Sequence, residues 1–335
     1  MAGQHLNLLC IDGGGVKGLS ALIIIGKLME LINPDNPPRP CDHFDVIGGT
    51  STGGLIAIML GRLEMTVDEC VLAFHSLQSS IFHKVHRLPV NIRGAIQSRY
   101  DHAALERGVK DLLRSRGLDE DTLFRNPEDS ACKVFVTATR KDTSTTEILA
   151  SYRRRRGPSE IYNTAKIWEV ARATSAATTF FDCITIGSSG RQYLDGGTGA
   201  NNPAFKMWEE ATDLFCKDQS LEDGLNCFIS VGCGLPSLHQ IGNNATDLLQ
   251  ALVRISTETE STAERFRRDK DAVFQDHRCF RFNAPSAGDI GMDEPEESAR
   301  ISQITDNYIE QQDIHLQMML CSKRLLERES MFRCP

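Results

Sequence analysis

Long hydrophobic runs are absent from this chain of 335 residues. No apolar stretch approaches the ~18 residues of a membrane-spanning helix. Residues 1–5 show neither the basic segment nor the apolar segment of a signal peptide. These absences lead us to expect a cytoplasmic protein that meets membranes only transiently, at their surface.

Paired cysteines and excess positive charge are also lacking. The eleven cysteines are an odd number and include no C-x-x-C pair, so we expect reduced, buried thiols. The formal net charge of −8 argues against nucleic-acid binding and against strong attraction to anionic bilayers. The H-x-x-H spacing of His83 and His86 has no accompanying carboxylate or cysteine, and we expect no metal and no cofactor.

A serine flanked by glycines is the most informative feature that the chain does contain. Ser51 lies in the G-x-S-x-G motif of residues 49–53, after a predicted strand at 44–47 and before an apolar helical run at 54–60. In this context the motif is typical of a nucleophile elbow, in which a sharp strand-to-helix turn exposes the serine hydroxyl. The glycines leave room for the tight turn and tolerate positive φ.

A glycine-rich loop at residues 13–18 follows the predicted strand at 6–11 and precedes a helix. Such a loop exposes backbone N–H groups at a helix N-terminus, which suits an anion. The anion could be a dinucleotide pyrophosphate or the oxyanion of an acyl-transfer intermediate. The dinucleotide fingerprint needs an acidic residue at a strand end about 20 residues later. That distance falls in the proline-rich loop of residues 33–40, so the oxyanion is favoured.

An acidic residue leaves a third predicted strand at the sequence Asp195-Gly196-Gly197. Asp-Gly-Gly is an ordinary turn when it stands alone. Functional side chains in α/β proteins nevertheless lie at strand exits, so Asp195 is a candidate site residue.

Together the three motifs, with residues 167–177, resemble those of the patatin-like phospholipases, and the match covers residues 6–215. The rest of the sequence is most similar in character to fungal members of the family. The resemblance implies that Ser51 is the nucleophile and Asp195 its general base, in a dyad without histidine. The implied oxyanion donors are the backbone N–H groups of Gly13, Gly14, Gly15 and Thr52. Lys17 is a further candidate for contacting the substrate.

A conventional triad remains an alternative, because His239 and His277 follow the serine and the acid in the order of α/β-hydrolases. A run of four arginines, Arg153, Arg154, Arg155 and Arg156, follows a predicted strand. It is either a solvated loop or a patch that contacts phosphate head groups or a membrane near the mouth of the active site.

Alternation of predicted strands and helices indicates a three-layer α/β/α fold with a mostly parallel central sheet. Strands are predicted at 6–11, 44–47, 133–139, 146–151, 183–186, 192–195 and 226–231. We expect a single domain over 1–335, with the motif core at 6–215 and a helical C-terminal part at 240–330. This part includes predicted helices at 245–268 and 301–328.

The sequence thus predicts a calcium-independent lipid acyl hydrolase that cleaves carboxylic esters of glycerophospholipids through an acyl-enzyme on Ser51. The alternatives are a neutral-lipid or general carboxylesterase, and a signalling effector domain activated by oligomerisation. The expected partner is a lipid at a membrane or micelle surface. Association into homo-oligomers and a position at the N-terminus of a larger protein are further expectations.

Overall fold

A computed structural model describes residues 5–81, 100–127, 130–155, 157, 159–177, 181–217, 219–235, 259–285, 287 and 290–332. In this part of the chain eight strands form one sheet. They are β1 (Leu6–Ile11), β2 (Val46–Thr50), β3 (Lys133–Arg140), β4 (Thr146–Ala150), β5 (Ile184–Ile186), β6 (Arg191–Asp195), β7 (Leu225–Val231) and β8 (Cys279–Phe282).

Helices cover the sheet. They are α1 (Gly18–Ile32), α2 (Pro40–His43), α3 (Thr52–Ala57), α4 (Val67–Ile81), α5 (His102–Ser115), α6 (Ser159–Thr164), α7 (Ile167–Thr174), α8 (Gly197–Ala200), α9 (Ala204–Phe215), α10 (Leu221–Gly224), α11 (Glu260–Asp269), α12 (Asp271–Gln275), α13 (Ser298–Ile309) and α14 (Gln312–Phe332). Short 3-10 turns lie at Gly15–Lys17 and Pro295–Glu297, and a π-helical turn at Ile58–Arg62 continues α3. Of the helices that the structure describes, none is long and apolar enough to cross a membrane.

Both faces of the sheet are buried, because successive side chains of a strand point to opposite faces. In β1, Leu9 and Ile11 pack with α1 and α7 in one core, whereas Leu8 and Cys10 pack with α9 in a second core. Strands buried on both faces read as continuous apolar runs, which is how β1 reads in the sequence. The predicted three-layer α/β/α fold is confirmed.

The sheet is parallel in its middle and antiparallel at one end. Strand β1 pairs in parallel with β2 and β7, and the parallel pairs continue to β3 on one side and to β8 on the other. Strand β3 pairs antiparallel with β4 and β6, and β6 pairs antiparallel with β5. The parallel strands β1 and β2 therefore end at the same edge, where the motifs lie.

The C-terminal part differs from the sequence expectation in two respects. It is not purely helical, because the strand β8 lies within residues 240–330 and extends the sheet beside β7. The predicted single helix at 301–328 is two helices, with α13 ending at Ile309 and α14 beginning at Gln312. Of the predicted helix at 245–268, residues 245–258 lie outside the described residues, and α11 covers 260–269.

Candidate active site

Ser51 occupies a strained turn between β2 and α3. Its backbone angles are φ 54° and ψ −125°, a region that residues with a Cβ rarely adopt. Such strain persists where the surroundings enforce it, and it is concentrated at functional sites. The turn leaves Ser51 partly exposed although its neighbours Thr50 and Thr52 are buried.

Close backbone contacts explain the glycines of the elbow. A Cβ on Gly49 would lie 2.1 Å from the carbonyl oxygen of Gly53, and a Cβ on Gly53 would lie 2.4 Å from that of Ile11. Neither glycine is among the residues with positive φ. The two glycines of the motif are therefore required because the turn is closely packed. The residue of the elbow that has positive φ is Ser51 itself.

The register of β3 brings Asp195 to Ser51. Thr137 of β3 pairs with Thr50 on one edge and with Ile148 of β4 on the other. Ala138, the next residue, pairs with β4 and with Asp195. Strand β4 pairs with one edge of β3 at both Thr137 and Ala138. Strands β2 and β6 therefore both pair with the opposite edge of β3. Asp195 therefore lies directly beyond the end of β2, where Ser51 begins the elbow.

The two side chains are in hydrogen-bond contact. Ser51 Oγ donates to Asp195 Oδ2 at 2.7 Å, and the other carboxylate oxygen accepts the Gly197 N–H at 2.6 Å. Burial raises the pKa of Asp195 to about 6, while the hydrogen bonds from Ser51 and Gly197 lower it only in part. A carboxylate with this pKa is a better base near neutral pH than an exposed aspartate.

The C-terminal end of α7 holds both members of the pair. Thr174 Oγ1 accepts the backbone N–H of Ser51 at 2.9 Å. Two residues later, the carbonyl oxygen of Ala176 accepts the backbone N–H of Asp195 at 2.9 Å. Residues 167–177 matched the family as a sequence stretch, but the role of Thr174 as an acceptor was not predicted from them.

The glycine-rich loop lies against the elbow, since a Cβ on Gly13 would be 3.1 Å from Ser51 Cβ. The N–H of Gly13 already donates to the carbonyl oxygen of Asn201 at 3.0 Å, so the expected oxyanion donor at Gly13 is engaged elsewhere. Within the described part of the chain, the N–H groups of Gly14, Gly15 and Thr52 have no acceptor. These three are the donors that remain of the predicted set.

Lys17 is half-buried in the 3-10 turn that follows the loop. Its positive charge lowers the pKa of Cys233, although burial raises that pKa overall to about 12. Cys233 lies beneath the loop, because a Cβ on Gly14 would meet Cys233 Cβ at 2.2 Å. Lys17 is thus near the predicted anion site.

A buried ion pair behind the loop was missed at the sequence level. Asp12 is fully buried and accepts from Arg281 Nη2 at 2.7 Å. Arg281, which also contacts Glu260 at 3.2 Å, lies on β8. Burial raises the pKa of Asp12 to about 6, whereas the charge of Arg281 lowers it. No sequence pattern predicts a contact between Asp12 and Arg281, which lie far apart in the chain. The pairing of β8 with β7 brings the two residues together.

The triad alternative gains no support from His277. His277 precedes β8, and the end of β8 that lies nearer to the site is Phe282. Phe282 pairs with Val231, which pairs with Ile11 just before the glycine-rich loop. His277 lies in the turn before β8, and the extended residues from Cys279 to Phe282 alone span ~10 Å. His239 lies outside the described residues. Among those that are described, the contacts of the Asp195 carboxylate come from Ser51 and Gly197.

The arginine run does not join the site. The antiparallel strand β4 separates it from β3, and Ala150 at the end of β4 pairs with Phe135, at the start of β3. Arg154 forms an ion pair with Glu210 at 2.6 Å. Arg153 and Arg155 are exposed, and Arg156 lies outside the described residues. Since β3 lies between β4 and β2, about 10 Å of sheet separates the run from the strand of Ser51.

Comparisons with known proteins agree with these motifs. The model of the family described as Patatin-like phospholipase matches residues 9–208. Calcium-independent phospholipase A2-gamma of Mus musculus is 28% identical over 305 residues, which cover 87% of this chain and 36% of that protein. Patatin-like protein 2 of Arabidopsis thaliana is 31% identical over 231 residues, which cover 63% of this chain and 54% of that protein.

A plant relative and a solved structure are more distant. Phospholipase A I of Arabidopsis thaliana is 26% identical over 285 residues, which cover 69% of this chain and 21% of that protein. The crystal structure of VipD from Legionella pneumophila aligns with a TM-score of 0.39 and 10% identity, covering 91% of this chain and 67% of that one. The chain thus spans 36% of the length of the mouse relative and 21% of the length of Phospholipase A I.

Proposed function

The chain belongs to the patatin-like phospholipase family, and we therefore propose that it is a calcium-independent lipid acyl hydrolase acting on carboxylic esters of glycerophospholipids. The observation that carries the proposal is the 2.7 Å hydrogen bond from Ser51 Oγ to a buried Asp195. The names of relatives such as calcium-independent phospholipase A2-gamma and Phospholipase A I support the substrate class.

In the first step, Ser51 Oγ attacks the carbonyl carbon of the ester while its proton passes to Asp195 Oδ2. A single carboxylate can serve as the base because burial brings its pKa closer to neutral. Collapse of the tetrahedral intermediate expels the alcohol, which takes the proton, and leaves an acyl-enzyme on Ser51. Water, deprotonated by Asp195, then releases the fatty acid and restores the serine.

The negative charge that develops on the carbonyl oxygen needs donors that already point to it. We assign this role to the N–H groups of Gly14, Gly15 and Thr52. Each well-placed donor of this kind contributes ~3–4 kcal/mol to transition-state stabilisation. Since serine activation by a lone carboxylate is weak, these donors carry much of the catalysis.

The test is release of fatty acid from mixed phospholipid vesicles in the presence of EDTA. We expect the wild type to be active and Ser51→Ala to lose activity by at least ~10³-fold. The matched control is Ser144→Ala. Ser144 has φ 55°, close to the φ of 54° of Ser51, but it is exposed on the turn between β3 and β4. The control variant should retain activity.

Two outcomes would contradict the proposal. If a folded Ser51→Ala variant kept wild-type activity, Ser51 would not be the nucleophile. If the wild type hydrolysed triacylglycerol or a soluble ester but no glycerophospholipid, the substrate class would be wrong and the general esterase would replace it. Circular dichroism of each variant separates loss of chemistry from loss of folding.

A further inference from the structure

A cleft of about 370 Å³ runs along β4, away from Ser51. Its lining includes residues 147–150 of β4, the three described arginines of the run, and Tyr162 from α6. It shares none of these residues with the Ser51–Asp195 site. The cleft is therefore a separate feature, on the far side of β3 from the nucleophile.

The floor of the cleft is an edge of the sheet. Among the described residues, β4 pairs only with β3, so its other edge has no neighbouring strand. Arg154 Nη1 donates to the carbonyl oxygen of Ile148 at 3.4 Å along this strand. Positive side chains on an exposed edge oppose pairing with another strand. The cleft is thus better suited to a ligand than to a further strand.

Arg154 has a structural role that holds the run in place. Its guanidinium donates to both carboxylate oxygens of Glu210, at 2.6 and 2.9 Å, and Tyr152 donates to the same carboxylate at 2.8 Å. Glu210 is only 4% exposed. A bidentate pair of this kind fixes geometry as well as charge. The charge of Arg154 is therefore offset, and the backbone of the run is anchored to α9.

The flanking arginines, Arg153 and Arg155, differ from Arg154 in their surroundings. Arg153 and Arg155 are exposed, and neither has an acidic partner within the described part of the chain. The acid in the lining, Glu147, lies 3.5 Å from Arg191 and 4.0 Å from Arg140. In a chain with a net charge of −8, the cleft thus holds two arginines on an anchored segment that form no ion pair with any described acidic residue.

We propose that this cleft binds a phosphate group through Arg153 and Arg155. Guanidinium groups present N–H donors in a planar fork that matches phosphate oxygens, and Tyr162 supplies a hydroxyl in the same lining. The phosphate comes either from an anionic lipid head group or from a soluble phosphate ester. This binding site is distinct from the hydrolytic site, and its existence does not depend on hydrolysis by Ser51.

The test uses Arg153→Gln/Arg155→Gln and a matched pair, Arg267→Gln/Arg268→Gln, which removes two exposed arginines of α11. All proteins carry Ser51→Ala, so that hydrolysis does not alter the vesicles. One probe is inositol hexakisphosphate, measured by calorimetry at constant ionic strength. The other is phosphatidylcholine vesicles with and without phosphatidic acid, measured by co-sedimentation.

We expect the cleft pair to weaken binding of at least one probe by roughly 30-fold, and the matched pair to change it little. Loss confined to inositol hexakisphosphate would identify a soluble phosphate ester as the source. Loss on phosphatidic acid vesicles would identify a lipid head group. The proposal is overturned if the two variant pairs lose affinity equally, or if the Ser51→Ala protein with all its arginines intact binds neither probe.

Discussion

At the residue scale, the Asp195 carboxylate is buried, although its ionised form would be more stable in water. Asp195 is 6% exposed, and its pKa rises from 3.8 to about 6 because of that burial. Above this pKa the folded protein holds an ionised group with Ser51 and Gly197 as its hydrogen-bond partners. The same burial that makes Asp195 a better base therefore lowers the free energy of unfolding at neutral pH.

Asp195→Asn should stabilise the protein while it abolishes hydrolysis. The stability associated with protonated Asp195 is fully present below its unfolded pKa of 3.8 and is lost as the pH rises through about 6. This shift in the pKa of Asp195 corresponds to about 3 kcal/mol in the free energy of unfolding. Urea unfolding below and above the pKa of Asp195 measures this difference between the variant and the wild type.

The two proteins should differ little at low pH, and Asp195→Asn should be the more stable one at neutral pH. Equal free energies of unfolding at both pH values would show that burial does not raise the pKa of Asp195. The asparagine can still accept from Gly197 and donate to Ser51, so the local hydrogen bonds do not explain a gain in stability.

At the element scale, the elbow and the glycine-rich loop depend on how closely backbones approach one another. Gly15 has φ 62°, and a Cβ there would lie 2.1 Å from the carbonyl oxygen of Met292. This contact positions the loop against residues near α13, because Val16 N also donates to Met292 O at 3.0 Å. The loop conformation thus depends on a segment almost 280 residues later in the chain.

Gly15→Ala should lower kcat by on the order of 10²-fold, because displacement of the loop misplaces oxyanion donors. Gly117→Ala is the matched control, since Gly117 has φ 72° and no heavy atom within 4 Å of an added Cβ. The control should lose ~1 kcal/mol of stability and no activity. Steady-state kinetics and thermal unfolding of both variants would test this, and equal kcat in the two would contradict it.

The sequence predicted the elements around the motifs better than those of the C-terminal part. Strand β1 and the Ser51 elbow carry strong local patterns. Strand β8 has only the residues Cys279–Phe282, with Arg281 in its middle, and a charged residue in so short a run gives no strand pattern. The break at Glu310 and Gln311 has no glycine or proline, so tertiary packing determines it.

At the scale of the whole molecule, the site is completed by residues outside the three motifs. Strand β7 covers the edge of β1 opposite β2, and β8 supplies Arg281 to the buried Asp12. Helix α14 packs on α1, with Met318 and Leu325 fully buried. The pairing of Ser51 with Asp195 could be expected from the family resemblance, whereas these long-range supports required the register of the sheet.

A chain ending after residue 215 should not fold, although it contains every predicted catalytic residue. It would lack β7, β8 and α14, and would expose one edge of β1 and the face of α1 that α14 covers. Each large apolar side chain left in water costs ~1.5–3 kcal/mol, and several such losses exceed a typical total stability of ~5–15 kcal/mol. A cooperative thermal transition in this fragment, measured by circular dichroism, would contradict the prediction.

In the proposed mechanism, Asp195 activates Ser51 for attack on an acyl carbonyl. The most direct test is the rate of acylation by a p-nitrophenyl ester as a function of pH, with mass spectrometry to locate the acyl group. We predict acylation at Ser51, with a rate that falls as the pH decreases through about 6, the pKa of Asp195, and that is lost in Asp195→Asn. Acylation that persists in Asp195→Asn with an unchanged pH profile would contradict the account.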